Sequence, residues 1–131
     1  MPWQLWGILK TVCRNISTNP IRNMATIGGN LTCRYTWTEM PAVMIALEAE
    51  LHFMGSNGQE QILSAEEFFQ NNAKINKILT KIVIRKDEHA RIVYQRVKKT
   101  VFVDIPMLSL CIKTYLQDHR FVHARVAVNN C

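Results

Sequence analysis

The sequence predicts an α+β fold in which helices pack on a mainly antiparallel sheet. Three observations lead there. The N-terminal stretch places apolar residues at helical spacing, the region from residue 78 onward alternates with period two, and Gly55-Ser56-Asn57-Gly58 separates two apolar runs. With 131 residues, 48% hydrophobic and 20% charged, the chain suits one globular domain or a piece of a larger one.

Leu5, Ile8, Leu9, Val12, Cys13 and Ile16 recur on one helical face, with Lys10, Thr11, Arg14 and Asn15 opposite. The spacing predicts an amphipathic helix from about Trp3 to Thr18, closed by Asn19-Pro20. Trp3 and Trp6 are expected to be packing residues. Gly28-Gly29 then predicts a turn with positive φ, either an ordinary tight turn or a cradle whose main-chain N–H groups face an anion. The segment from Thr32 to Met40 is polar and aromatic without periodicity. Pro41 suits the first turn of a helix reaching about Leu47, with Ala42, Ile45, Ala46 and Ala49 as a small-residue face.

Leu51 to Met54 and Gln59 to Leu63 should form a hairpin, and Ser64-Ala65-Glu66-Glu67 reads as a capping box opening a short helix with Phe68 and Phe69. Gln70 to Lys77 reads as a loop. Strands are expected at Ile78 to Arg85 and Arg91 to Lys98. A third has Leu108, Leu110, Ile112, Thr114 and Leu116 on one face, and a fourth has Val122, Ala124, Val126 and Val128, joined through Asp118-His119.

Composition excludes several function classes. No apolar run reaches the ~18 residues that span a bilayer, and Met1-Pro2-Trp3-Gln4 does not open a signal peptide, so a cytoplasmic location is expected. Cys13, Cys33, Cys111 and Cys131 are scattered without Cys-x-x-Cys spacing, so no metal site is expected and the thiols should be reduced. His52, His89, His119 and His123 are dispersed and suggest no catalytic role. Residues 1–75 carry five Lys/Arg against six Asp/Glu, and residues 76–131 carry eleven against four. The basic half reads as solvated strand faces, because no aromatic RNA-binding signature or basic recognition helix accompanies it.

The string Ile21-Arg22-Asn23-Met24-Ala25-Thr26-Ile27-Gly28-Gly29-Asn30-Leu31 resembles the second flavin-binding segment of the FAD subunits of molybdenum hydroxylases, the family of xanthine and carbon monoxide dehydrogenases. The likeness continues collinearly through Pro41 to Glu50, Glu66 to Phe69, Ile78 to Ile82, Tyr94 to Pro106 and His123 to Ala127. It implies the second subdomain of a PCMH-type FAD-binding domain over residues 1–86, followed by the first strands of the C-terminal domain over residues 87–131. A composition shift near Lys86-Asp87-Glu88 marks that boundary.

By resemblance the cofactor is FAD and no side chain is catalytic, since the flavin carries the redox chemistry. Ala25, Thr26, Ile27, Gly28, Gly29 and Asn30 would hold its pyrophosphate, with hydrogen bonds from the Thr26 and Asn30 side chains. Glu39 stands nine residues after Asn30, at the offset of a family aspartate in a Ser-Pro-x-x-Asp segment that this chain otherwise lacks. It is either a cofactor contact or a surface acid. Leu79 matches a leucine near the isoalloxazine ring and equally suits a strand core. Arg96 matches a family lysine preceding Asp104-Ile105, with a different donor geometry, and Thr100-Val101 replaces the basic pair usual after it.

The family's first flavin loop, Gly-Gly-Thr-Asp-like, does not occur in the 131 residues. The resemblance implies a partial flavin subunit whose partners are a molybdopterin-binding subunit and a [2Fe-2S] subunit. Two functions follow: an FAD-binding component passing electrons from iron–sulfur clusters to an acceptor, or a truncated, non-catalytic scaffold or interaction module.

Overall fold

The computed structural model describes residues 3–33, 35–70, 76–101 and 105–130. Among these residues five helices and six strands run in the order α1 (Trp3–Asn15), α2 (Asn19–Met24), α3 (Ile27–Thr32), α4 (Met40–Ala46), β1 (Glu50–Met54), β2 (Glu60–Ser64), α5 (Ala65–Gln70), β3 (Ile78–Val83), β4 (Arg91–Val97), β5 (Leu108–Gln117) and β6 (Arg120–Asn129). The strands make two three-stranded antiparallel sheets, ordered β2-β1-β3 and β4-β5-β6. The predicted α+β class with antiparallel sheet is what forms. The expected loop over Gln70 to Lys77 falls largely on residues 71–75, outside the described residues.

Local signals act where the sequence placed them. Ser64 and Glu67 complete the capping box: the Ser64 N–H donates to Glu67 at 2.9 Å and the Glu67 N–H donates to Ser64 Oγ at 3.1 Å. Gly58 takes φ +75 in the β1–β2 turn. Asp118 and His119, at φ 49 and 61, form the two-residue turn between β5 and β6, a pair of left-handed residues that matches the twist of the strands.

Two expectations need correction. The first helix ends at Asn15, and Asn19-Pro20 opens α2, because proline's missing N–H costs nothing in a first turn. Ser17, at φ 43, reverses the chain between them. Trp6 is 70% exposed and not a packing residue; it lies about 100° around the helix from Leu5, at the margin of the stripe whose centre is the buried Val12. In the second sheet the predicted apolar rows of β5 and β6 do share one face. The sheet's inner face is built from Ile92, Tyr94 and Arg96, facing Lys113, Cys111 and Ser109 across the β4–β5 pair. The predicted rows form the outer face, where Val93 and Val126 are 53% and 56% exposed.

The core gathers around α4, whose Met40 to Met44 and Ala46 are all buried. It packs on α3, α5, β5 and β6, so it needs apolar residues all round. Its C-terminus is a Schellman closure, Ala49 N–H to Met44 O and Glu48 N–H to Ile45 O at 3.0 and 3.1 Å. Glu48 occupies the left-handed position, φ 56, that glycine usually fills. Its carboxylate offsets the strain by pairing with the buried Lys113 at 2.8 Å. Lys113 also lies 3.8 Å from Asp87, which accepts from the Tyr115 hydroxyl. Arg125 donates to Ile45 O at 3.0 Å and to Glu66. A charged seam thus ties the second sheet to α4 and α5.

The outer face of β4-β5-β6 carries exposed Val93, Val97, Val126 and Val128, with Arg91 and Gln95 among them. At micromolar concentration the chain is expected to bind an apolar fluorescent dye and to associate with increasing concentration, and Val126→Lys should reduce both. Sedimentation showing a monomer that leaves the dye dark would contradict this.

Candidate functional site

The residues singled out around Gly28-Gly29 sit at the start of α3. Arg22 sets the approach: its guanidinium donates to Ile16 O at 2.5 Å, to Ser17 O at 2.7 Å and to Asn19 Oδ1. It thereby fixes the reversal between α1 and α2, and Ala25 and Thr26 follow in extended conformation. Thr26 caps α3, its Oγ1 accepting the Gly29 N–H at 3.0 Å.

The expected positive φ at Gly28-Gly29 is not found. Both glycines lie in the first turn of α3, and Gly58 is the positive-φ glycine among the described residues. The physical reason is the cap: once Thr26 takes the Gly29 amide, the segment continues as helix and the first amides point out of its end. Glycine still matters here for space. A Cβ on Gly29 would come 3.1 Å from Thr26 Oγ1, whereas one on Gly28 would meet nothing within 4 Å. Gly28 keeps an open surface beside the first turn that no atom of the described residues fills.

Asn30 sits at the junction of two clefts. A small one of about 120 Å³ is lined by Ala25, Thr26, Ile27 and Asn30 together with Cys13 and Arg22. A wider one of about 410 Å³ is lined by Ser17, Asn30, Trp37, Glu39, Arg96 and Pro106 among others. Asn30 Oδ1 is buried and accepts no hydrogen bond from the described residues, an acceptor that calls for a donor.

Glu39 and Arg96, proposed separately from the sequence, are brought together. Their charged groups lie 3.2 Å apart with both side chains buried, and Arg96 also donates to Asn15 O at the end of α1. That carbonyl belongs to the negative end of the helix, where a cation is favoured. Burial holds the Glu39 carboxyl above its ordinary pKa of 4.5, and the Arg96 charge offsets only part of the rise. The surface-acid reading of Glu39 is therefore wrong. Leu79 is not among the residues lining this cleft; it pairs with Phe53 in the β1–β3 ladder and packs against the core. Sequence reasoning missed Trp37 and Arg22. The arginine stands inside the Ile-Arg-Asn string and was within reach, while Trp37 lies in a stretch without periodicity.

FAD fits these residues. Its ribose and ribityl hydroxyls are donors of the kind Asn30 Oδ1 lacks, and the surface at Gly28 admits a ligand against the backbone. Among the described residues no helix is long and apolar enough to cross a membrane.

The β subunit of caffeine dehydrogenase from Pseudomonas sp. (strain CBB1) is 37% identical over 68 residues, covering 49% of this chain and 23% of that protein. Carbon monoxide dehydrogenase from Hydrogenophaga pseudoflava superposes with a TM-score of 0.77 at 24% identity, over 88% of this chain and 41% of the other. Quinoline 2-oxidoreductase from Pseudomonas putida 86 gives 0.77 at 24% identity, over 95% and 44%. At that identity the two structures establish the fold, and this chain spans less than half of either. Residues 5–86 match the FAD binding domain in molybdopterin dehydrogenase, a cofactor assignment that the cap at Thr26, the open Gly28 and the waiting acceptor of Asn30 each accommodate, and on that match the chain belongs to this family of FAD-binding domains.

Proposed function

We propose that the chain supplies the second FAD-binding subdomain of a molybdenum hydroxylase flavin subunit in the cytoplasm, with residues 87–131 opening a further domain. The observation that carries the reading is the unpartnered Oδ1 of Asn30, a residue lining both clefts, inside the segment matched to the family. When bound, FAD accepts electrons from iron–sulfur clusters and passes them to an acceptor. The chain's own task is to hold and orient it. The first turn of α3 receives the pyrophosphate, Asn30 receives a hydroxyl, and Arg22 keeps the segment in place. A [2Fe-2S] subunit and a molybdopterin-binding subunit are the partners that such a component serves.

One observation favours the scaffold reading. Glu39 and Arg96 pair with each other at 3.2 Å and leave less charge for a ligand. Flavin content separates the two. Each charged hydrogen bond to a phosphate contributes about 1.5–3 kcal/mol, so without a first flavin loop the chain should purify with FAD well below one per chain. Adding a polypeptide that carries a Gly-Gly-Thr-Asp-like loop should restore yellow colour. Gly28→Val should then weaken FAD at least about tenfold, a loss of ~1.4 kcal/mol, while leaving thermal unfolding nearly unchanged. Gly29→Val should also cost about 1 kcal/mol of stability by crowding the Thr26 cap. Colourless protein after supplementation would make the scaffold reading the better one.

A further inference from the structure

The loop between α3 and α4 carries an aromatic pair with no part in the pyrophosphate site. Tyr35 and Trp37 stack with ring centroids 4.5 Å apart and planes inclined by 10°, although they are 54% and 41% exposed. A stacked pair has two outer faces, and here the two residues line different clefts. Tyr35, without Trp37, lines a cleft of about 370 Å³ with Pro41, Ile45 and Phe69. Trp37, without Tyr35, lines the cleft of about 410 Å³ that contains Asn30 and Arg96. The pair is a partition, and the indole forms a wall of the candidate site.

The wall is already in place. Thr38 donates to Tyr35 O at 2.8 Å through its hydroxyl, and Asn129 of β6 donates to Thr38 O. A ligand therefore has little loop ordering left to impose. The charge of the cleft selects what lies against it. Glu39 and Arg96 neutralise each other at 3.2 Å, so this space suits an uncharged planar surface better than a phosphate.

We propose that the outer face of Trp37 stacks a planar heteroaromatic ring of the cofactor in the cleft shared with Asn30 and Arg96, so that Trp37 is a binding residue of the flavin site. This rests on the FAD reading above. FAD offers two rings with the same stacking chemistry, the isoalloxazine and the adenine.

The test is a titration of the full chain with FAD, FMN and ADP to millimolar concentration, read by proton–nitrogen NMR. The Trp37 indole signal is assigned with Trp37→Phe. Upfield movement of that signal, with the exposed Trp6 unmoved, is expected. A response to FMN alone assigns the isoalloxazine and a response to ADP alone assigns the adenine, and either supports the stack. Base–aromatic stacking contributes enough that Trp37→Leu should weaken FAD by about tenfold to a hundredfold, with Trp37→Phe recovering most of it. Shifts at the Thr26 to Asn30 amides, with a still Trp37 indole and unchanged affinity in Trp37→Leu, would overturn the stack and leave the flavin reading standing. An absence of shifts anywhere, with the polypeptide carrying the Gly-Gly-Thr-Asp-like loop also present, would remove both.

Discussion

Arg96→Met is expected to destabilise the chain by about 3–5 kcal/mol, because it strands a buried carboxylate and removes the donor at the end of α1. Breaking one member of a buried pair costs far more than replacing both with apolar groups. Glu39→Leu combined with Arg96→Met should therefore recover most of the loss. Urea unfolding of the two single variants and the double variant measures the coupling directly. A single-variant cost under about 1 kcal/mol, the range of exposed pairs, would show that the pair is far less sequestered than its burial indicates. Glu39 also sets a pH dependence of definite sign. Its folded-state pKa lies above the ordinary 4.5, so the folded chain holds more proton than the unfolded one between those values. The stability due to this group is full below pH 4.5 and declines as pH rises through that window. Glu48 and Asp87, held low chiefly by bonds from Lys113 and Tyr115, run the other way and lose stability as pH falls. Relative to the parent, Glu39→Gln should gain stability as pH rises above 4.5.

Phe53→Ala should cost about 3–5 kcal/mol, a typical value for an aromatic ring removed from a packed core. Phe53 is fully buried in β1, its ring centroid 5.1 Å from that of Phe68, which in turn meets Phe69 edge-on at 4.9 Å. The cavity would open between the first sheet and α5, whose Phe68 ring packs on Phe53. Thermal unfolding should show the midpoint falling by about ten to twenty degrees, at ~4 °C per kcal/mol, where the ranges for smaller and larger domains meet. Phe53→Leu, which keeps more volume, should recover a large part. Equal midpoints for the parent and Phe53→Ala would contradict this account of the core.

The elements visible in the sequence are those fixed by neighbouring residues. The Gly55 to Gly58 turn, the Ser64–Glu67 box, Pro41 at the head of α4 and the alternation of β3 to β6 depend on local chemistry, and each forms near its expected position. What was not legible depends on distant contacts. Period two shows that β5 has two distinct faces but cannot say that Ser109, Cys111 and Lys113 go inward, because that choice rests on Glu48 and Asp87 meeting Lys113. Burial there also pushes the Cys111 thiol pKa up to about 12, as suits an inert core residue. At the candidate site the string located α3, yet the pairing of Glu39 with Arg96 joins positions that no sequence window spans. Gly28-Gly29 looked like a turn because glycine is the usual turn residue; the Thr26 cap, three residues before Gly29, was the competing signal.

The burial of α4 has a consequence for synthesis. The helix is complete in sequence by Ala46, but part of its cover comes from β5 and β6, and Arg125 reaches Ile45 O from eighty residues farther along the chain. At ribosomal speeds of ~5–20 residues per second, α4 waits several seconds for that cover. During that interval its apolar side is available to chaperones or to neighbouring nascent chains. Release of the β5–β6 hairpin from the ribosome is thus the event that closes the core.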